Sequence, residues 1–473
     1  MGTIALVSVL LAPRAAVADP LPTNDYVIDL FQGPLLSPIR VTSLGGAYAG
    51  YAEGTGGLVS NAASPASRSL DSLRHVELLV SGSLSFPLDI FENNDFDNSG
   101  EIDSDYSDFV YLNGGAILQV GAFGAGLHAE LQTYELTDAG GSSATVVIGR
   151  YHALLAAALG RGQLALGAGA RGVTMGIATP GRDLVYVGAA PELGVLVRPA
   201  RVPFRFGATY RFAVDGHPTF DPPTPARPGE PARSGSFTLP RGVVLPWELE
   251  TGFAVQIGPR PLQVAFDDPV DLDDATEARV GAARARRRSD RDRTLARISD
   301  PVERIRVDAA IAAEDARLSA LEEEELERVR RRAEDEADDV YASLPRDRIL
   351  LLLSVLVSGP ATDGVSVERF LGQAVAGSTT GVIGGSGASV NFSPRFGVEV
   401  EPVPTWLILR AGSYYEPNRF GGVGRQHFTF GSEVRLFEWD VFGLLPRSLW
   451  GATTAIDLSP RYESVSVSLA VFR

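Results

Sequence analysis

The sequence predicts an all-β chain: a transmembrane antiparallel β-barrel of about 14 strands, with an N-terminal hatch and an inserted periplasmic α-helical hairpin. Three observations predict it. Apolar side chains recur at every second position in many stretches, an export-like apolar run precedes them, and tight joins alternate with long polar ones. The C-terminal stretch is the clearest: Val465, Val467, Leu469 and Val471 alternate with Ser464, Ser466, Ser468 and Ala470 before Phe472 and Arg473. In a barrel strand one such set faces hydrocarbon and the other a lumen. A soluble sandwich also has strands that are apolar on one side, and it is the alternative to be excluded.

Bulk properties narrow the class. The 473 residues carry a net charge of −16, no cysteine, and 45% apolar residues. Such a chain is too apolar for disorder, and without cysteine it has neither disulfides nor a thiolate nucleophile or metal ligand. The acidic balance argues against nucleic acid as a partner.

Taken from the N-terminus, Ile4 to Leu11 form a short apolar run, and Ala16, Val17 and Ala18 supply a small-residue cleavage site, so residues 1–18 read as a signal peptide without its basic start. Residues 19–74, rich in Gly, Ala and Ser and poor in strand periodicity, read as the hatch. Residues 75–266 hold strands one to eight, near His75–Phe86, Phe109–Val120, Gly124–Leu136, Thr145–Ala158, Gln163–Met175, Leu184–Val197, Phe204–Phe212 and Val243–Ile257. In the seventh, Phe204, Phe206, Ala208, Tyr210 and Phe212 are spaced by Arg205, Gly207, Thr209 and Arg211.

The pattern then changes. Residues 267–346 are rich in Arg, Glu, Asp and Ala with a helical period. Asp300-Pro301-Val302-Glu303 is an N-cap, a first-turn proline and a capping-box glutamate. Ile298, Val302, Ile305, Ala309, Ala312 and Ala316 start an apolar stripe that Leu318, Leu321, Leu326, Val329, Ala333 and Val340 continue, over a helix of about 44 residues. A second helix near Ala275–Leu295 folds back on it. Glu322 to Glu325 and Arg284 to Arg288 read as solvated helix faces.

Residues 347–473 hold strands nine to fourteen, the first being Ile349–Ser358. Eight crossings before the insertion and fourteen in all place the insertion and both termini on the periplasmic side. A helix this long implies a periplasmic protein partner or self-association through residues 271–345.

Once these elements are placed, the hatch carries a resemblance. Ser43-Leu44-Gly45-Gly46-Ala47-Tyr48-Ala49-Gly50, then Asn61-Ala62-Ala63-Ser64-Pro65-Ala66, resembles the hatch of FadL-type outer-membrane transporters of long-chain fatty acids and aromatic hydrocarbons, where G-G-A-Y or G-R-A-Y leads to N-P-A. Leu245-Pro246-Trp247-Glu248-Leu249 and Arg410-Ala411-Gly412-Ser413-Tyr414-Tyr415-Glu416-Pro417 add to it. Asn61 and Pro65 depart from the family by standing three residues apart, and the helical insertion is a second departure. The resemblance implies a bacterial outer-membrane channel for passive uptake of hydrophobic or amphipathic molecules such as long-chain fatty acids, surrounded by outer-membrane lipid. Gly45, Gly46 and Gly50 would be its flexible points and Tyr48 a lumen contact; the same glycines also suit a plug that merely packs closely. The alternative function is a non-conducting barrel that recruits a secretion or assembly partner through its helices.

Within the lumen, His128, Glu130 and Gln132, with Arg205, Arg211, Arg395 and Arg435, fit either a carboxylate head group or an ordinary salt-bridged lining. Between strands one and two, Asp95, Asp97, Ser99, Glu101 and Asp103, with Gly100, follow the start of a calcium loop, but Tyr106 stands where a bidentate Glu belongs. Ca2+ is therefore the one cofactor the sequence suggests. None of the five histidines lies in a nucleophile or metal motif, so the chain reads as no enzyme.

Overall fold

The computed structural model describes residues 23–70, 72, 74–88, 95–99, 110–137, 143–200, 202–221, 223–225, 227–266, 268, 270, 274–375, 385–404, 406–439 and 448–472. The residues read as a signal peptide, and Glu101 and Asp103 of the calcium motif, lie outside the described residues.

The elements begin with β1 (Val27–Asp29), α1 (Ile39–Ser43), β2 (Val76–Pro87), β3 (Val110–Val120), β4 (Phe123–Thr137), β5 (Ser143–Leu159), β6 (Leu164–Thr179), β7 (Arg182–Val197) and β8 (Phe204–Arg211). Then come β9 (Val214–Pro218), β10 (Arg233–Ser234), β11 (Phe237–Thr238), β12 (Gly242–Leu245), β13 (Glu248–Ile257), α2 (Asp274–Ala296) and α3 (Pro301–Ser343). The chain ends with β14 (Ile349–Ser358), β15 (Gly364–Ser366), α4 (Val367–Val375), β16 (Asn391–Val403), β17 (Leu407–Glu416), β18 (Arg425–Trp439), β19 (Ser448–Ser459) and β20 (Tyr462–Phe472).

Fourteen of these strands, β2 to β8, β13, β14 and β16 to β20, form one antiparallel barrel. Pairing of Ser81 with Ala470 through Pro87 with Ser464 closes it. Closure leaves no strand edge, which is how a sheet satisfies its backbone in lipid. Burial alternates along each strand as the sequence predicts: Arg205, Gly207, Thr209 and Arg211 face inward, Phe204, Phe206, Ala208 and Tyr210 outward. Outward positions carry large apolar side chains such as Leu127 (65% exposed), Leu155 (69%) and Leu469 (67%), with Leu353, Phe392, Phe428 and Phe430 around the same belt. Those residues would be an aggregation surface in water and are a lipid-facing surface in a membrane. The inward side mixes glycines, aromatic and apolar residues with buried ion pairs, and the sheet closes on itself, which excludes the soluble sandwich. None of the described helices is long and apolar enough to cross a membrane.

One end of the barrel carries the start of β2, the end of β20, the two-residue turn at Gly121-Ala122, and the helical insertion. At the other end three connections are long: residues 88–109, 212–247 and 359–390. α2 and α3 form an antiparallel hairpin, and α3, with 43 residues, is about 65 Å long. Asp300 caps α3 by accepting from the Val302 amide at 3.0 Å. The face that α3 turns to α2 keeps Leu318, Leu326 and Val329 of the anticipated stripe but departs from it in the first turns and at Leu321 and Val340, which are exposed. Val302 (74% exposed) and Ile305 (71%) point to solvent, and Val307 and Ile311 are half-buried in their place. Ion pairs set this rotation: Arg287 reaches Asp315 (3.1 Å) and Glu322 (2.6 Å), Arg284 reaches Glu322 (2.9 Å), and Arg291 reaches Asp308 (2.6 Å).

Two further features depart from the sequence reading. The anticipated eighth strand breaks at Pro246-Trp247, because Pro246 offers no N–H to the ladder. Beyond the break β12 turns inward, and the wholly buried Arg171 guanidinium binds the freed carbonyls of Phe212 and Pro246. The hatch also has a strand. β1 lies between β12 and β15, parallel to both, with Val27 opposite Gly242 and Gly364. The hatch therefore starts at the long-loop end and runs down the lumen to β2, so only the barrel's first and last strands, and not the first described residues, share the short-turn end.

Candidate functional site

The hatch rests on a wall of glycine. Inward positions of successive strands are Gly124, Gly167, Gly194, Gly207, Gly252, Gly397, Gly412 and Gly431. A Cβ at these positions would meet, in turn, Pro65, Ala62, Asn61, Ala49, Gly50, Leu44, Gly45 and Ser43. Backbone thus packs directly on barrel backbone, an approach only glycine allows. Gly45 (φ 59°) and Gly46 (φ 73°) make the left-handed turn that follows α1, and a Cβ on Gly50 would lie 2.6 Å from the Gly252 carbonyl. These three glycines are packing and turn positions in the closed state.

Polar hatch residues are tied to the wall as well. Asn61 donates to the Ala49 and Val195 carbonyls at 3.1 and 3.0 Å and accepts from the Ala63 amide at 2.9 Å. The Pro65 carbonyl accepts from Gln119 at 2.9 Å. Although three residues separate Asn61 and Pro65, both therefore serve one buried knot around the 3-10 turn Ser64–Ala66. Tyr48 corrects the reading that placed it against the lumen space. Its ring is wholly buried beside Arg40 (5.6 Å) and Tyr51 (5.6 Å), and its hydroxyl donates to the Glu53 carbonyl at 2.9 Å.

A cavity of about 140 Å3 remains between hatch residues 30–37 and the wall. Its lining combines Leu30, Leu35, Leu36, Leu245 and Leu356 with Arg150, Arg171, Arg211, Arg395, Glu248 and Glu250. Arg171 and Arg211 each approach Glu248 at 3.2 Å, and Arg395 approaches Glu250 at 3.1 Å. Arg150 differs. It donates to Gln132 (3.0 Å), Gln32 (3.1 Å) and the Leu30 carbonyl (2.6 Å), and among the described residues no carboxylate lies within ion-pair reach of it. Its nearest counter-charge is Glu130, its cross-strand partner and a second lining residue, which makes no direct ion pair with it. A guanidinium whose hydrogen bonds go to neutral groups, near leucine side chains, can hold an anionic head while the tail lies on the leucines.

The sequence-predicted lumen residues divide at this cavity. Glu130, Arg211 and Arg395 line it. His128 lies behind it, 3.3 Å from Glu130. Arg205 is wholly buried elsewhere, paired with Glu53 of the hatch at 2.7 Å and stacked on Tyr51. Arg435 sits at the bulge in β18, 3.9 Å from Glu433. Residues that sequence reasoning passed over hold more of the structure. Glu399, wholly buried, takes Arg40 of the hatch (3.0 Å), Arg348 (2.7 Å) and Arg410 (2.7 Å). His427 lies between Glu416 (2.6 Å) and Asp457 (2.9 Å), and Asp457 accepts from Tyr414, whose hydroxyl in turn receives the Leu35 amide at 3.1 Å. The inward phase of each strand was the available signal for these groups.

At the long-loop end the structure gathers Asp95 and Asp97 with Glu368 of α4, their carboxylate oxygens within 4.8 Å of one another. Ser99 sits in the same turn, its amide donating to Asp95 and Asp97 at 2.9 and 3.0 Å. Burial, then the Asp97 carboxylate, raises the Glu368 carboxyl well above its usual range.

No protein-family profile matches the chain, and no curated protein matches its sequence. Among solved structures it is similar to the CymD monoaromatic hydrocarbon channel, at 9% identity and a TM-score of 0.45, over 92% of this chain and 96% of that one. A Pseudomonas aeruginosa FadL homologue gives 9% and 0.44 over 94% and 98%. The Pseudomonas putida toluene transporter TodX gives 11% and 0.44 over 94% and 98%. Such low values assign no family, so what the barrel does is read from its own residues.

Proposed function

We propose that this chain is an outer-membrane channel for passive uptake of hydrophobic or amphipathic small molecules, long-chain fatty acids among them. The observation that carries the reading is the lumen cavity, lined by five leucines and by four arginines of which Arg150 alone makes no direct ion pair among the described residues. The short-turn end is the periplasmic one, as in bacterial barrels generally, so the long loops and β1 face outward and the helical hairpin inward. Hatch backbone packs directly on the wall glycines, so on this reading flux requires the hatch to shift away from them.

The test is uptake of labelled fatty acid into vesicles holding the purified protein. Flux above that of empty vesicles, changed several-fold when residues 23–70 are deleted from a barrel that still folds, supports the channel. Wild-type flux equal to that of empty vesicles overturns it. Arg150→Gln tests the head-group role separately: it should weaken a fatty acid more than an alkane of equal length, and equal effects on both would remove that role.

A second reading has one observation behind it. Val302 and Ile305 stand exposed near the hairpin tip, far from the barrel, as a partner-binding surface would. In that reading the helices recruit an envelope protein or a second copy, and the lumen conducts nothing. Excising Asp271 to Pro345 distinguishes the two, since a channel keeps its flux and an interaction barrel loses its partner.

A further inference from the structure

The turn at residues 95–99, in the loop between β2 and β3, is a junction of surface loops. Asp95 pairs with Arg461 of the β19–β20 turn at 3.0 Å, and the Asn98 carbonyl accepts from Asn418 of the β17–β18 loop. The Phe96 and Asp97 amides donate to Glu368 of α4 at 2.8 and 3.0 Å. Sequence separations of about 270 to 370 residues are thus bridged within one turn.

Its charges do not balance. Glu368 is wholly buried, receives those two backbone amides and has its carboxyl against that of Asp97, a contact that needs either a shared proton or a cation; Asp97 also receives the Ser99 amide and, at 2.5 Å, the Ser366 hydroxyl. No guanidinium lies within 4.0 Å of either carboxylate among the described residues. Arg461 and the more distant Arg425 (4.0 Å) both serve Asp95, and Arg425 is already paired with Glu416 at 2.6 Å. A buried carboxylate beside a second one, without a cation, is a costly arrangement, and buried charges are normally paired or coordinate a metal.

Two independent observations point to the missing group. Asp95, Asp97 and Ser99 hold the first, third and fifth positions of a calcium-loop pattern, visible in the sequence without any structure. Asn98, which follows Asp97 and precedes Ser99, is wholly buried, and among the described residues neither polar atom of its side-chain amide has a partner. The donors are all oxygen, drawn from separate segments, as suits a large and geometrically tolerant hard cation.

We infer that Asp95, Asp97 and Glu368 bind one Ca2+ that staples the β2–β3 loop to α4 over the outer mouth of the barrel. Glu368 supplies from a distant loop the carboxylate that the local pattern lacks at Tyr106. The site is loop-borne and faces the exterior, so its affinity belongs with extracellular calcium modules, about 10⁻⁴ to 10⁻³ M.

The test is calorimetric titration of CaCl2 into full-length protein refolded without lipopolysaccharide and stripped with EDTA. One ion per chain is expected, with Mg2+ binding at least about tenfold more weakly because it demands tighter octahedral geometry. Glu368→Gln should lower calcium affinity at least tenfold while the barrel keeps its β circular dichroism and heat-modifiable migration. If that variant does not fold, Asp97→Asn, at a half-exposed position, is read in the same way. Absence of calcium binding up to about 10 mM, beyond the range of extracellular modules, overturns the proposal. So does a folded variant that binds calcium as tightly as the wild type.

Discussion

Residues 26–66 lie inside the barrel and are nearly all buried, whereas residues 274–343 stand outside it and are mostly exposed. Both are additions to one sheet, and they are held in opposite ways. The hatch has a five-residue helix and two short 3-10 turns, none stable alone, and takes its shape from wall glycines and from ion pairs that end on the barrel. The hairpin has long helices with their own cap and cross-helix ion pairs, and touches the barrel chiefly at its base. A segment can therefore be ordered by its container or by its own sequence, and these two should fail under different perturbations.

The largest effect should come from the container. Glu399 neutralises three guanidinium groups, one of them on the hatch, so Glu399→Gln leaves buried cations with too little counter-charge. Breaking such a network typically costs about 3–5 kcal/mol. The denaturation midpoint of the barrel should fall markedly, while the helical signal of the hairpin is unaffected. An unchanged midpoint would mean the hatch does not depend on this pairing.

A somewhat smaller loss, about 1–3 kcal/mol, is expected for Gly207→Val, because its Cβ would occupy the place of the Ala49 carbonyl. Here the readout is local. The hatch should become sensitive to protease in a barrel that otherwise migrates as folded, and Gly82→Val, in outward-facing open space, is the control.

How much of this was legible beforehand follows the same division. The barrel strands are written in two-residue alternation, and the hairpin in its helical period and the Asp300 cap, so both are local and could be read. The face α3 presents was read correctly at Leu318, Leu326 and Val329 and misread in its first turns, where apolar spacing favours Val302 and Ile305 but Arg287 and Arg291 of α2 pair with Asp315 and Asp308. The strand break was available in Pro246, since a proline inside a central strand argues against continuation. The course of the hatch was not legible: Val27 finds its partners at Gly242 and Gly364, and nothing local marks a three-residue strand that joins such distant segments. Glu399 and Glu250 were visible as inward-phase residues, but their arginine partners depend on strand register and, for Arg40, on where the hatch lies. Glu368 was hidden for the same reason, some 270 residues from the acids it joins.

Removing Asp271 to Pro345 and joining the ends with a short flexible linker should alter the barrel less than either substitution above. The excision costs the barrel only what the base contributes, chiefly Tyr341, which lies against Arg260 while Arg260 also pairs with Glu401 at 3.4 Å. A midpoint shift as large as that of Glu399→Gln would mean the hairpin is part of the barrel's stability and not an independent module.

The smallest effect, confined to the hairpin, is acid loosening. Hydrogen bonds from Arg287 and then Arg284 hold the Glu322 carboxyl down from 4.5 to about 2. A carboxyl whose folded value lies below its unfolded one stabilises fully above the unfolded value and loses that contribution as pH falls through the folded one. The contact between α2 and α3 should therefore weaken between about pH 4.5 and 2, and strengthen on return to neutrality. High salt should weaken it as well, since these pairs are only partly shielded from solvent. Helical circular dichroism is the measurement, with Glu322→Gln as the comparison. That variant should start from a lower helical signal at neutral pH and show a smaller change on acidification. If instead the wild-type helices and the hatch respond to acid together, the two regions are coupled through the barrel, and the contrast between self-ordered and container-ordered segments fails.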